Sequence, residues 1–155
     1  MKLRNYLYIF AVSMIPVVEL RGAIPLGTGL GLDPWITYAI SVVGNMLPVP
    51  FILFFIRKII NWMKQRPKLH KIAVKLEERV HKNKTKIMRF AGFGLFLFVA
   101  IPLPGTGAWT GALVAAMIDM RMKYALPAIL AGVLVAGLVM TLLSQGFLGF
   151  LSFLM

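Results

Sequence analysis

The sequence predicts an all-α polytopic membrane protein: two re-entrant helical hairpins, each followed by a transmembrane helix, arranged as an inverted repeat with a basic amphipathic connecting helix. Three observations lead there. Apolar residues make up 59% of the 155, more oily surface than a soluble domain of this length can hide, so a bilayer must act as solvent. Twelve of the seventeen Lys and Arg residues lie from Arg57 to Arg89, which leaves nearly neutral stretches on either side. Two apolar blocks are interrupted by proline and glycine, and each is followed by a block long enough to cross.

The first interrupted block, 6–32, contains Pro16, Glu19, Arg21, Gly22, Pro25, Gly27, Gly29 and Gly31. Proline withholds a backbone donor and glycine weakens a helix, so the block should break near its middle and fold back as a hairpin. Residues 34–56 are the first span, started by Asp33 as helix cap with Pro34 in the first turn. Asn45, Pro48 and Pro50 predict a kink in its second half. Repeat 1 therefore covers about 5–57.

Residues 58–89 form a basic connecting segment. Leu69, Ile72, Leu76 and Val80 recur at steps of three and four among cations, as on a helix lying against a membrane surface. Its expected partners are anionic lipid headgroups; a solvated cytoplasmic helix that only fixes topology is the plainer alternative. Nucleic acid is not expected, because the segment is tethered at both ends and lacks interleaved aromatics. His70 and His81 sit here and are given no role.

Repeat 2, about 90–145, follows the same plan. Block 90–118 contains Pro102, Pro104, Gly105, Gly107 and Gly111, which predict a second hairpin; 123–143 is the second span and 146–155 an interfacial tail. Ile24-Pro25-Leu26-Gly27-Thr28-Gly29 recurs as Ile101-Pro102-Leu103-Pro104-Gly105-Thr106-Gly107 with one inserted proline, which marks the two hairpin tips and makes the halves an inverted repeat. Peptide groups at such depth cannot be satisfied by lipid, so the two tips should face each other around a polar pocket.

Cations stay inside, so 58–89 is expected in the cytoplasm and the chain in the cell membrane as a multi-pass protein. Lys2 and Arg4 then fall outside; if the first block crosses completely they move inside, and Arg121 and Lys123 move out. The charge count does not choose. Lys2 and Arg4 before an apolar run look like a signal peptide, but no A-x-A-like site follows and the segment is read as retained. Trp35, Tyr38, Trp62 and Tyr124 suit the membrane interface.

Glu19 and Arg21 are the only charges within the apolar blocks away from their ends, and ionisable groups there are costly and usually functional. A carboxyl near hydrocarbon can exchange a proton, while Arg keeps its charge and grips phosphate with two prongs. The plainer alternative is that the two pair with each other or cap backbone groups. The expected substrate and proton-coupling site is Glu19, Arg21, Pro25, Gly27, Pro102, Pro104, Gly105, Gly107 and Trp109. No cofactor and no metal is expected: there is no cysteine and no H-E-x-x-H spacing. Catalysis is not expected either, for no serine, histidine and carboxylate set falls in one apolar region.

Glu19-Leu20-Arg21-Gly22-Ala23-Ile24-Pro25-Leu26-Gly27 and Ile101-Pro102-Leu103-Pro104-Gly105-Thr106-Gly107-Ala108-Trp109-Thr110-Gly111 resemble the small multidrug export protein family over nearly the whole chain. More distantly, Glu19 through Pro25, Pro104-Gly105, Gly111 and residues 121–124 are similar to the DedA/VTT superfamily. That resemblance implies opposed re-entrant hairpins forming a transport site, movement of polyprenyl-phosphate or phospholipid headgroups, and proton coupling. Thr28 and Gly107 stand where the DedA pattern has a second glutamate and an arginine, which leaves Arg21 as the cation to meet a phosphate. The expected function is a small proton-coupled transporter of a lipid-phosphate headgroup or small charged solute. The alternatives are an exporter of small cationic drugs and a non-transporting scaffold. A homodimer would further shield the polar tips.

Overall fold

Backbone interruptions divide the chain into seven helices among the described residues, which in this computed structural model are 2–66, 74, 84–103 and 105–154. In chain order they are α1 (Lys2–Ser13), α2 (Glu19–Gly29), α3 (Pro34–Met46), α4 (Pro48–Lys64), α5 (Lys84–Ala100), α6 (Ala108–Met117) and α7 (Met122–Leu154). The described residues contain no strand.

Both interrupted blocks break, the second at the expected tip and the first earlier than the tip expected at Ile24–Gly29. The first break is residues 14–18, around Pro16, where the end of α1 tightens through bonds from Met14 N–H to Ala11 O and Ile15 N–H to Val12 O. The second falls between Ala100 and Ala108, where residues 101–103 and 105–107 are not helical. After each break comes a short helix ending in the same kind of turn. At the end of α2, Leu32 N–H reaches Gly27 O and Gly31 N–H reaches Thr28 O, with Gly31 at φ 71°. At the end of α6, Met120 N–H reaches Ala115 O and Asp119 N–H reaches Ala116 O, with Asp119 at φ 54°. Both are Schellman closures, in which a left-handed residue lets the chain reverse while the last carbonyls stay paired. The long helices α3 and α7 follow them.

Asp33 caps α3 as expected: its Oδ1 accepts from Trp35 N–H and Ile36 N–H, both at 3.0 Å. The expected kink is a break at Leu47, directly before Pro48, between α3 and α4. Two helical stretches, Pro34–Ile56 and Met122–Phe147, are long and apolar enough to cross a bilayer. Less than half of each is buried inside the protein, unlike the core helix of a soluble protein. Outward Phe51, Phe54, Phe55, Leu142 and Leu143 need an oily surrounding.

Three boundaries differ from the sequence reading. α4 runs past Ile56 to Lys64, α5 begins at Lys84 rather than near Phe90, and α7 continues past Leu143 to Leu154. Lysine and arginine are good helix formers whose apolar stems can lie along oil while the charge reaches water, so a basic stretch need not end a helix. Of the surface helix expected between Pro67 and Arg89, residues 67–73 and 75–83, which carry its apolar positions, lie outside the described residues.

α1 and α2 pack on α3, α5 and α6 pack on α7, and the halves meet where α2 and α3 touch α7 and where α4 touches α6. The main core joins Leu20, Ile24, Val49, Leu53, Val99, Ile129 and Val133 to an alanine face of α6 at 108, 112, 115 and 116. Those small residues let α6 sit deep between its neighbours. Tyr38, expected at the interface, packs on Gly137 of α7 and donates to Leu134 O at 3.1 Å.

Gly132 sets the approach of α7 to α5: a Cβ there would lie 2.9 Å from Phe96 O and 2.7 Å from the Val99 Cβ. Gly132→Ala should cost about 1–3 kcal/mol by overpacking. Gly146, with open space around it, should gain roughly 0.5–1 kcal/mol as Gly146→Ala through helix propensity. Thermal unfolding of the two variants in detergent checks the opposite signs.

Candidate functional site

The residues around the second break leave peptide groups unpaired at both of its ends. α5 ends with carbonyls that have no next turn to accept from, and α6 begins with N–H groups that have no preceding turn. Gly107 occupies the cap position of α6 and has no side chain to offer. The first half of the chain supplies both missing partners.

Glu19 is buried, at 4% exposure. Its Oε1 accepts from Trp109 N–H at 3.1 Å, and the carboxylate also draws on Ala108 N–H, so it caps α6 from another helix. The start of a helix is the end that favours a negative charge. Arg21 takes the opposite end. Its guanidinium donates to Leu103 O, to Ile101 O at 3.2 Å, to Val99 O at 3.5 Å and to Thr106 Oγ1 at 3.0 Å. It thereby ties the end of α5 to the link that follows. Thr106 Oγ1 itself sits 2.7 Å from Ile101 O and 2.9 Å from Leu103 O.

The first break is held in return by the second half. Trp109 donates its indole N–H to Met14 O at 3.1 Å, just past the end of α1. Trp109 therefore joins both interruptions, through its backbone to Glu19 and through its ring to Met14. Glu19 adopts φ 49°, the left-handed region that costs a non-glycine residue roughly 1–2 kcal/mol. At a distance of two residues, Glu19 and Arg21 would diverge on a regular helix, and they do reach different partners, although their charges act on one another.

Between the two breaks lies a cavity of about 340 Å³. Pro16, Val17 and Val18 of the first link and Glu19, Arg21 and Gly22 of α2 form one wall. Pro102, Gly105, Thr106, Gly107 and Thr110 form the other, and Met140 of α7 completes it. The size suits a small solute or a headgroup. Asn45, 1% exposed, stands close enough to Glu19 to interact with its carboxylate, yet neither amide atom completes a hydrogen bond of normal geometry. It falls midway along Pro34–Ile56, the first stretch long and apolar enough to cross a bilayer.

Of the expected site residues, Glu19, Arg21, Pro102, Gly105 and Gly107 line the cavity, and Trp109 supports it. Pro104 lies outside the described residues. Pro25 and Gly27 are a correction: they belong to the helical body of α2, with Pro25 exposed on its outer face and Gly27 packed on Thr37 of α3. The segment Ile24 to Gly29 is thus helical whereas its sequence repeat Ile101 to Gly107 is the link, so the two copies are not the same structural part. The break falls at Pro16 instead, which has no N–H to continue α1 beyond the bonds that Met14 and Ile15 make to Ala11 O and Val12 O. Sequence reading missed Thr106 as a partner for Arg21, and took Asn45 only for a kink marker; its place as the one amide in the middle of an apolar span was the available signal. Among the described residues no three His, Cys, Asp or Glu side chains gather as metal ligands.

The fold and site define a helical membrane protein with a charged centre between two helix interruptions. The sequence pattern of the family described as "Putative small multi-drug export protein" matches residues 19–139, beginning at Glu19 itself, and the chain belongs to that family. No curated protein and no solved structure matches it, and the DedA/VTT resemblance receives no support from these comparisons.

A methyl group at Gly107 would overlap the Glu19 carboxylate. Gly107→Ala should evict that carboxylate from α6 and lose about 1–3 kcal/mol of stability, the cost of unpaired buried groups. Arg21→Lys keeps the charge but cannot span four oxygens, and should unfold at lower temperature than wild type; calorimetry or tryptophan fluorescence in detergent reads both.

Proposed function

We propose that this protein is a small proton-coupled transporter in which Glu19 exchanges a proton as a small charged solute passes between the two helix interruptions. The observation that carries this reading is a lone carboxylate lining a 340 Å³ cavity at mid-span. An ionisable group at that depth is expensive to keep unless it is used. Membership of an export family agrees with transport.

In this reading α1–α2 and α5–α6 are re-entrant hairpins and the two halves an inverted repeat. α1 and α2, at 12 and 11 residues, are about 18 and 16 Å long, near half of a hydrocarbon core of about 30 Å. The matching order of parts, from helix and break to Schellman turn and long helix, supports the repeat. The basic segment 58–89 faces the cytoplasm against anionic headgroups of the cell membrane, and the protein catalyses no reaction. A homodimer would cover the outer rim of the cavity.

The cargo favoured here is a small organic cation. Glu19 offers the negative charge, and Pro16, Val17, Val18 and Met140 offer an apolar wall. Arg21 already serves four oxygens. A lipid-phosphate headgroup is the second reading, favoured by the place of Arg21 in the same cavity, and it requires the guanidinium to leave those oxygens.

Purified protein in liposomes under an imposed proton gradient tests both. Wild type should move ethidium, and Glu19→Gln should slow it about tenfold or more while still folding. Movement of a fluorescent short-chain phospholipid, lost in Arg21→Ala, would favour the headgroup. Flux of neither probe would leave a membrane scaffold as the function.

A further inference from the structure

Every fourth residue of α3 from its cap onward is polar: Asp33, Thr37, Ser41, Asn45. A step of four turns each side chain only about 40° from the last, so the series is a continuous stripe that slants round the helix from exposed Asp33 to a place beside Glu19. Thr37 and Ser41 are wholly buried and Asn45 nearly so.

Their hydroxyls differ from four others in the helices among the described residues. Ser13, Thr28, Thr141 and Ser144 each donate back to a carbonyl three or four residues earlier in their own helix. Thr37 and Ser41 do not: their oxygens, and both amide atoms of Asn45, have no hydrogen bond of normal geometry. Buried polar atoms without protein partners are where internal water resides. Successive members of the stripe are about 6 Å apart along the axis, the span of one water making two hydrogen bonds of about 2.8 Å.

We propose that the Thr37–Ser41–Asn45 face of α3 is a proton path, a file of water and hydroxyls joining Glu19 to the membrane side on which Asp33 lies. This rests on the transport reading above and adds the route to it. In each step one O–H bond breaks on the donor as another forms on the next oxygen; at the end the Glu19 carboxylate gains the proton and a hydronium becomes water. The three side chains are strung out along about 12 Å and do not converge, so they cannot replace the hydration shell of a metal cation. Around Glu19, α2 presents the Arg21 charge, α6 presents backbone N–H groups and α3 the Asn45 amide.

Two measurements test the path on the full chain. In liposomes with a trapped pH dye and ethidium as probe cargo, Thr37→Val and Ser41→Ala should each slow proton uptake about tenfold, and Ser41→Thr should restore it. If wild type moves ethidium, Glu19→Gln does not, and the hydroxyl variants run at the wild-type rate, the path is wrong and the transport reading stands. If wild type moves neither protons nor ethidium, the transport reading fails and the path with it. The second measurement does not depend on transport. The chain has no cysteine, so Ser41→Cys carries a single thiol, and silver ion should react with it from the Asp33 side much faster than with Val42→Cys. Equal rates at the two positions would overturn a hydrated stripe.

Discussion

Peptide groups that lose their helical partners must find others, and this protein solves the problem by having each broken half complete the other. Glu19 stands where α6 begins and Arg21 where α5 ends, so each charge meets the helix terminus of opposite sign. Trp109 returns a bond to the end of the first break. An unsatisfied backbone group in hydrocarbon costs several kcal/mol. The left-handed backbone of Glu19 costs roughly 1–2. The bonds outweigh the strain, and that is why Glu19 holds a left-handed conformation that, among the described non-glycine residues, only Asp119 shares.

The same arrangement makes the cavity. Its polar lining consists largely of the groups that cap the breaks, so fold and site share atoms, and the plain capping role weighed for Glu19 and Arg21 is part of the answer whatever else they do. Protonating a carboxylate held by backbone N–H groups of α6 removes the charge that this helix start favours. Proton exchange at Glu19 would thereby act on the packing of α6, whose alanine face is seated against α4 and α7.

The class of fold was legible because it depends on composition and on local chemistry. Asp33 before Pro34 gives the start of α3, and proline with glycine at 101–107 gives the second break, since both follow from what a single residue can do to its own backbone. Glu19 and Arg21 stood out because charge is rare in such blocks. The tip assigned to Ile24–Gly29 was misplaced because a proline in a short helix is tolerable when it sits on the outer face, as Pro25 does. Repeated letters proved a poorer guide than repeated geometry: the Schellman turns at Gly31 and Asp119 match, although their residues do not.

By itself the sequence determined that this is a helical membrane protein, where its apolar stretches run, and which two charges are out of place, because burial in oil and proline chemistry act through neighbouring residues. Only the tertiary structure decided that Glu19 and Arg21 serve α6 and α5 across more than seventy residues, that Trp109 bridges both breaks, and that Asn45 ends a polar stripe beside the carboxylate. Those partners are chosen by how helices pack, and packing distances leave no trace in the spacing of residues along the chain.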